Sequence, residues 1–199
     1  MIYYIDFDNT LFNTEEFYND LKELIKKYDI FEKDINEYYN KFLSNELFNP
    51  IKIINIILQN NPLKKQIKEE INFFLRDLSK YLYDDTINFL EYLNNKNYTI
   101  ILLTYGNYEY QNIKINNSFI KEYFSKIIIT SKNKHELNLD YNNAIFIDDD
   151  INQIRGLLKV KANVIRIRRR GNKHSINDLE KVLEYKTFKE YLQKIINNN

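Results

Sequence analysis

The sequence predicts an α/β fold, a parallel sheet flanked by helices with an all-helical segment inserted after the first strand. Three observations carry that reading. First, four or five short apolar runs recur: IYYID (2–6), YTIILLT (98–104), KIIIT (126–130), AIFID (144–148) and NVIRIR (163–168). Each is of strand length and nearly continuous in apolar character, as strands buried on both faces of a parallel sheet are. Second, helical patterns separate the later runs, and strands alternating with helices build a parallel, Rossmann-like sheet. Third, the gap between the first two runs holds no strand and reads as helix from about Glu15 to Tyr83.

Taken in order, that gap holds roughly four helices. Phe17, Leu21, Leu24, Ile25 and Tyr28 fall on one face at spacings of three and four. Ile35, Tyr38 and Phe42 continue the pattern, and Ile67, Ile71, Phe74, Leu75, Leu78 and Leu82 form a further stripe. Asn49-Pro50 and Asn61-Pro62 read as helix starts, Asn capping and Pro in the first turn. A right-handed crossover needs only one helix, so residues 15–83 are expected to form a separate helical lobe on a core of residues 1–14 and 84–199. Between Thr104 and Lys126 a helix and a shorter helical turn are expected, and DDINQIRGLLKV gives another helix. After RRRGNKH come two helical segments, the last from Thr187 with Phe188, Tyr191, Leu192, Ile195 and Ile196 on one side.

Composition sets the limits. The formal net charge is +1, which speaks against nucleic acid as a partner. Cysteine is absent, which excludes disulfides and thiolate metal sites. No apolar run approaches the ~20 residues that span a bilayer, and MIYYIDFD lacks a signal peptide's basic start. A cytoplasmic protein without a membrane partner is the expectation. Oligomeric state is not legible. Only three glycines and two prolines are present, so each is expected to serve the backbone.

Ligands in parallel α/β sheets bind beyond the carboxyl ends of the strands. The first run ends in Asp6, with Asp8 just after; the second ends in Thr104, followed by YGN; the third is followed by SKNK; the fourth ends in Asp148, Asp149 and Asp150. Five converging carboxylates would repel one another and raise their own pKa values. An oxygen-seeking cation relieves that, and carboxylates from two strand ends suit Mg²⁺, which shares its shell with phosphate. A Thr hydroxyl, turn N–H groups and a lysine bind phosphate. One aspartate of the first pair can attack phosphorus and the other can move the proton.

These residues also resemble known motifs. IDFDNTLFNT is similar to the first motif of the haloacid dehalogenase superfamily, Asp-x-Asp-x-Thr; IILLTYGN resembles the second and AIFIDDD the acidic fourth. The resemblance covers residues 1–14 and 84–199. It implies a phosphoric monoester hydrolase using Mg²⁺ and a small-molecule phosphate ester. Asp6 would be the nucleophile and a metal ligand. Asp8 would be the general acid/base, binding metal through its backbone carbonyl. Thr104 would hold the phosphoryl oxygens, and Asp149, supported by Asp148, would complete the metal site. Asp150 would start the following helix. Asp8 favours a phosphatase over the superfamily's dehalogenases and phosphonatases, which lack that second acid. The insert at 15–83 resembles its helical cap. Lys134, followed by HEL, is preferred as the third-motif lysine over Lys132 and Lys126. A nucleotide or nucleic-acid phosphatase, or a binding module on the same fold, are the alternatives.

The arginines at 166 and 168–170 form the one basic cluster. Arg166 and Arg168 share a face of the last run and read as a charged sheet edge that discourages aggregation rather than as an anion site. His135 and His174 have no metal-ligand spacing and receive no role.

Overall fold

The computed structural model describes residues 1–169 and 182–197. Its sheet is six-stranded and wholly parallel, in the order β3-β2-β1-β4-β5-β6: β1 is Ile2–Ile5, β2 Thr99–Tyr105, β3 Lys126–Thr130, β4 Ala144–Asp148, β5 Asn163–Ile167 and β6 Leu183–Tyr185. It is a Rossmann-like α/β fold. The chain runs outward from β1 through β2 to β3, then crosses back to place β4 on the other side of β1. The direction of winding thus reverses between β1 and β4, where such sheets open a crevice at their carboxyl ends.

All five expected runs are strands, and side chains alternate between two packed faces. Tyr3, Ile5, Ile100 and Leu102 point into one apolar cluster, with Phe89, Leu90 and Leu93 of helix α5 (Thr86–Asn95) and Phe188 and Tyr191 of α8 (Phe188–Asn197). Tyr4, Ile101, Leu103 and Phe146 point into the other, with Ile154 and Leu157 of α7 (Ile151–Lys159).

Between β1 and α5 stand four α-helices: α1 (Thr14–Lys26), α2 (Glu32–Tyr38), α3 (Pro50–Ile57) and α4 (Lys64–Phe74). Phe17, Leu21, Ile25, Ile35, Ile53, Ile67 and Ile71 from these helices are buried in a cluster continuous with the first sheet face. Asn49 caps α3 as expected, accepting a hydrogen bond from Lys52 N at 3.0 Å, with Pro50 first in the helix. Asn61-Pro62 does not start α4: Asn61 accepts from Leu63 N at 2.8 Å, forming a turn, and the helix begins at Lys64. Phe42 leaves its expected stripe because residues Tyr39–Leu43 unwind into a π-helical turn, and the ring is exposed. The helix and helical turn expected after Thr104 are α6 (Tyr108–Asn117) and Lys121–Tyr123.

The reading of the arginines as a sheet edge is corrected. β5 is not an edge, because β6 pairs with it in parallel. Arg166 is fully buried, and Glu184 of β6 holds it at 3.1 Å and Arg168 at 2.9 Å. Arg169 is buried too. It donates to Thr10 O at 2.9 Å, pairs with both oxygens of Asp85 at 2.8 and 2.9 Å, and lies over the rings of Tyr83 and Phe188. Arg170, His174 and most of the first expected C-terminal helical segment lie outside the described residues.

Asp85 also accepts from Phe188 N at 2.7 Å, so it ties α8 to the loop after β1 through Arg169. Asp85→Ala would leave a buried guanidinium with one carbonyl partner. It is expected to lower the unfolding free energy by about 3 kcal/mol, read from urea denaturation; a loss within the scatter of surface substitutions would contradict this role.

Candidate active site

The carboxyl ends of β1, β2 and β4 and the turn after β3 build one cluster. Asp6 follows β1 directly, and its N–H donates to Ile147 O at 2.9 Å, locking it beside β4. Asp148 ends β4 and accepts from Asp150 N at 3.0 Å. Asp150 caps α7 as expected, accepting from Asn152 N at 2.7 Å. Asp6, Asp148 and Asp149 are all buried, and one carboxylate oxygen of each lies within 4.8 Å of the others.

Lys134 is the lysine that reaches them. Its ammonium donates to Asp6 Oδ1 at 2.6 Å and to Asp148 Oδ2 at 2.7 Å. Lys132 and Lys126 are exposed. The turn Lys134–Glu136 is fixed from three sides. Asn133 and Glu136 form a capping box, Lys134 N donates to Gln153 Oε1 of α7 at 2.9 Å, and Tyr141 OH donates to Lys134 O at 2.9 Å. Gly156 of α7 allows this approach, since a Cβ there would stand 2.2 Å from His135 Nδ1. His135 is thus a packing residue of the turn. Arg166 Nε donates to Asp149 O at 3.1 Å, so β5 holds the acidic loop from behind.

Thr104 lies in β2, near its carboxyl end, fully buried, and among the described residues its Oγ1 has no hydrogen-bond partner; neither does Oγ1 of buried Thr10. Buried hydroxyls are rarely left so. Asp8 stands apart from the acidic cluster. One of its oxygens accepts from Thr14 Oγ1 and from Lys114 Nζ, and the other accepts from Gln111 Nε2 at 2.5 Å. Of the predicted residues, then, Asp6, Lys134, Asp148 and Asp149 are brought together directly, while the Asp8 carboxylate is held by its own donors.

A family model described as haloacid dehalogenase-like hydrolase matches residues 3–167. This chain belongs to that family. No curated protein matches the sequence. Solved structures with the same fold include three close in size to this hydrolase. A haloacid dehalogenase-like family hydrolase from Xanthomonas campestris is 14% identical, with 99% of this chain and 95% of that one covered, at a TM-score of 0.65. A Bacillus subtilis protein, YfnB, described as a candidate HAD-hydrolase and bound to magnesium, is 13% identical over 97% of each chain at 0.62. A candidate β-phosphoglucomutase from Thermotoga maritima is 14% identical over 98% of each at 0.61.

Electrostatics set the haloacid dehalogenase-like site apart from a salt-bridged surface. Burial, then the charges of Asp148 and Asp8, pushes Asp6 up to about 7 against the pull of Lys134. Burial, then the neighbouring carboxylates, pushes Asp149 up to about 9. Asp148 is also raised by burial. Burial alone would lower Lys134, but Asp148 and Asp6 outweigh it and hold the ammonium above its ordinary value. Asp8 moves the other way: burial would raise it, yet Lys114, Gln111 and Thr14 hold it below the usual carboxylate range. Burial and mutual repulsion thus hold the carboxyls of this cluster above their ordinary range, a setting that a divalent cation fits.

Gln111, Lys114 and Thr14 were not singled out from the sequence. A signal was there: Gln111, Lys114 and Ser118, at spacings of three and four, place a polar stripe on the inner face of α6. Gly106, at a φ of +155°, belongs with them, because a Cβ there would stand 2.5 Å from Gln111 Nε2.

The pKa shifts give a sign. Asp6 and Asp149 bind protons more tightly folded than unfolded, so their contribution to stability is full below the ordinary 3.8 and is lost as pH rises through about 7 and about 9. Urea denaturation in EDTA at pH 5, 7 and 9 should show that decline. Asp149→Asn should flatten it and raise stability by roughly 1 kcal/mol; an Asn variant less stable than the parent at pH 9 would contradict it.

Proposed function

We propose that this chain is a Mg²⁺-dependent phosphatase that hydrolyses a small phosphomonoester through an aspartyl-phosphate on Asp6. The observation that carries the reading is the buried triad of Asp6, Asp148 and Asp149 with Lys134 bound to two of its members. The donor set fits Mg²⁺: all oxygen, from two adjacent strand ends, and crowded enough to need a cation. Asp6, Asp148 and Asp149 would hold it, with the backbone carbonyl of Asp8. When bound, Mg²⁺ supplies charge that offsets both the carboxylates and the phosphoryl oxygens.

The phosphoryl group would take the unsatisfied hydroxyl of Thr104 and the ammonium of Lys134 as its anchors. An Asp6 oxygen then bonds to phosphorus as the bond to the leaving oxygen breaks, and that oxygen takes a proton from Asp8. Water next attacks phosphorus, gives a proton to Asp8, and the bond to Asp6 breaks, restoring both carboxyls. Lys114, Gln111 and Thr14 hold the Asp8 pKa down, which favours the ionised form that the second half requires; the negative charge of a bound phosphate would push it upward, as the first half requires.

Residues 15–83 would serve as the cap that closes the site and selects the ester. One contact supports this: Asn49 Nδ2, at the start of α3, donates to Asn107 Oδ1, at the start of α6, at 3.1 Å. The exposed rings of Tyr105 and Tyr108 flank that contact in sequence and offer apolar surface to a leaving group. At 13–14% identity the Bacillus and Thermotoga relatives speak for the fold, and the chemistry rests on this chain's residues.

Hydrolysis of 4-nitrophenyl phosphate tests the reading. Activity is expected with Mg²⁺ and not with EDTA. Asp6→Asn should abolish it and Asp8→Asn should lower it by about 10²–10⁴. Activity that survives Asp6→Asn would remove Asp6 as the nucleophile.

A further inference from the structure

Lys114 is fully buried and lies among rings: its Nζ is 4.5 Å from the centroid of Tyr110, 5.6 Å from Phe7 and 5.8 Å from Phe12. Its ion pair is with Asp8. Replacing both partners of such a pair by apolar side chains of like volume costs little, whereas removing one leaves the other as an uncompensated buried charge. The three rings would accommodate a methionine. Stability alone therefore does not explain why this pair stands there.

Geometry does. Asp8 has two oxygens, and three donors from two elements occupy both: Thr14 at the start of α1 and Lys114 on one, Gln111 on the other. Gln111 Nε2 also donates to Tyr105 O at 3.2 Å, in the last residue of β2, next to Thr104. The bracket thus fixes the rotamer of Asp8 and ties it to the end of the strand that carries the proposed phosphate anchor. Gly106, whose missing Cβ makes room for Gln111, completes it.

We infer that Lys114 and Gln111 are positioning residues for Asp8, holding its carboxyl where the leaving oxygen and the attacking water pass. This rests on the phosphatase reading and goes beyond it. Two acts of Asp8 should then suffer when the bracket is cut, and they are separable by leaving group. Phenyl phosphate needs its departing oxygen protonated more than 4-nitrophenyl phosphate does. The value of kcat/KM covers the steps up to that departure.

The experiment compares the parent, Lys114→Met, Lys114→Arg and Gln111→Met on both esters with Mg²⁺, alongside urea denaturation. Lys114→Met leaves the Asp8 carboxylate without its cation, so its urea midpoint is expected to fall, and it is expected to lose about 10²-fold in kcat/KM on phenyl phosphate. The loss on 4-nitrophenyl phosphate should be several-fold smaller, and Lys114→Arg should recover part of it. Gln111→Met should show the same leaving-group bias at smaller amplitude. Equal losses on the two esters would make Lys114 structural and overturn the inference, as would unchanged kinetics. A parent inactive on both esters, or an Asp6→Asn variant as active as the parent, would instead remove the phosphatase reading beneath it.

Discussion

The ammonium of Lys134 between Asp6 and Asp148 is the contact on which the site depends. It joins the end of β1, the end of β4 and the turn after β3, segments 128 and 14 residues apart in sequence. All three groups are buried, so breaking the contact from one side leaves an uncompensated charge in the interior. Much of the surrounding sequence serves that one cation. The capping box of Asn133 and Glu136 shapes its turn, Gln153 and Tyr141 pin its backbone, and Gly156 lets α7 come close enough to do so.

Burial and mutual repulsion outweigh the pull of Lys134 on these carboxyls: Asp6 and Asp149 remain pushed up to about 7 and about 9. Asp8, two residues from Asp6, sits in the opposite setting, its pKa held down by Lys114, Gln111 and Thr14. The two aspartates therefore differ because Asp6 shares its lysine with Asp148 in a buried acidic cluster, whereas three donors converge on Asp8. Environments that drive two carboxyls apart in this way are how a site divides nucleophile from proton carrier.

The sheet was legible because parallel strands buried on both faces write continuous apolar runs, and β1 through β5 do. β6 was not, since Leu183–Tyr185 is three residues long with a charge at its centre, and that charge, Glu184, exists to meet Arg166 and Arg168. Missing the strand turned buried arginines into an apparent edge. The acidic residues of the site announce themselves by standing at strand ends. Lys134 was one of three candidates until its turn was placed, since sequence does not say which way a side chain faces after a strand. Lys114 was hidden for a different reason: on a helix, a lysine among apolar residues reads as the solvated face, and only its spacing with Gln111 and Ser118 marks that face as the inner one.

The central claim is that Asp6 becomes covalently phosphorylated. Rapid acid quench during turnover of an aryl phosphate with Mg²⁺, followed by digestion and mass spectrometry, tests it directly. The account predicts an acyl-phosphate on the peptide that carries Asp6, sensitive to hydroxylamine and accumulating further in Asp8→Asn when a good leaving group is used. A phosphoryl group on another residue would contradict it, as would turnover in which no time point carries a labelled enzyme and the oxygen of water enters phosphate in a single displacement.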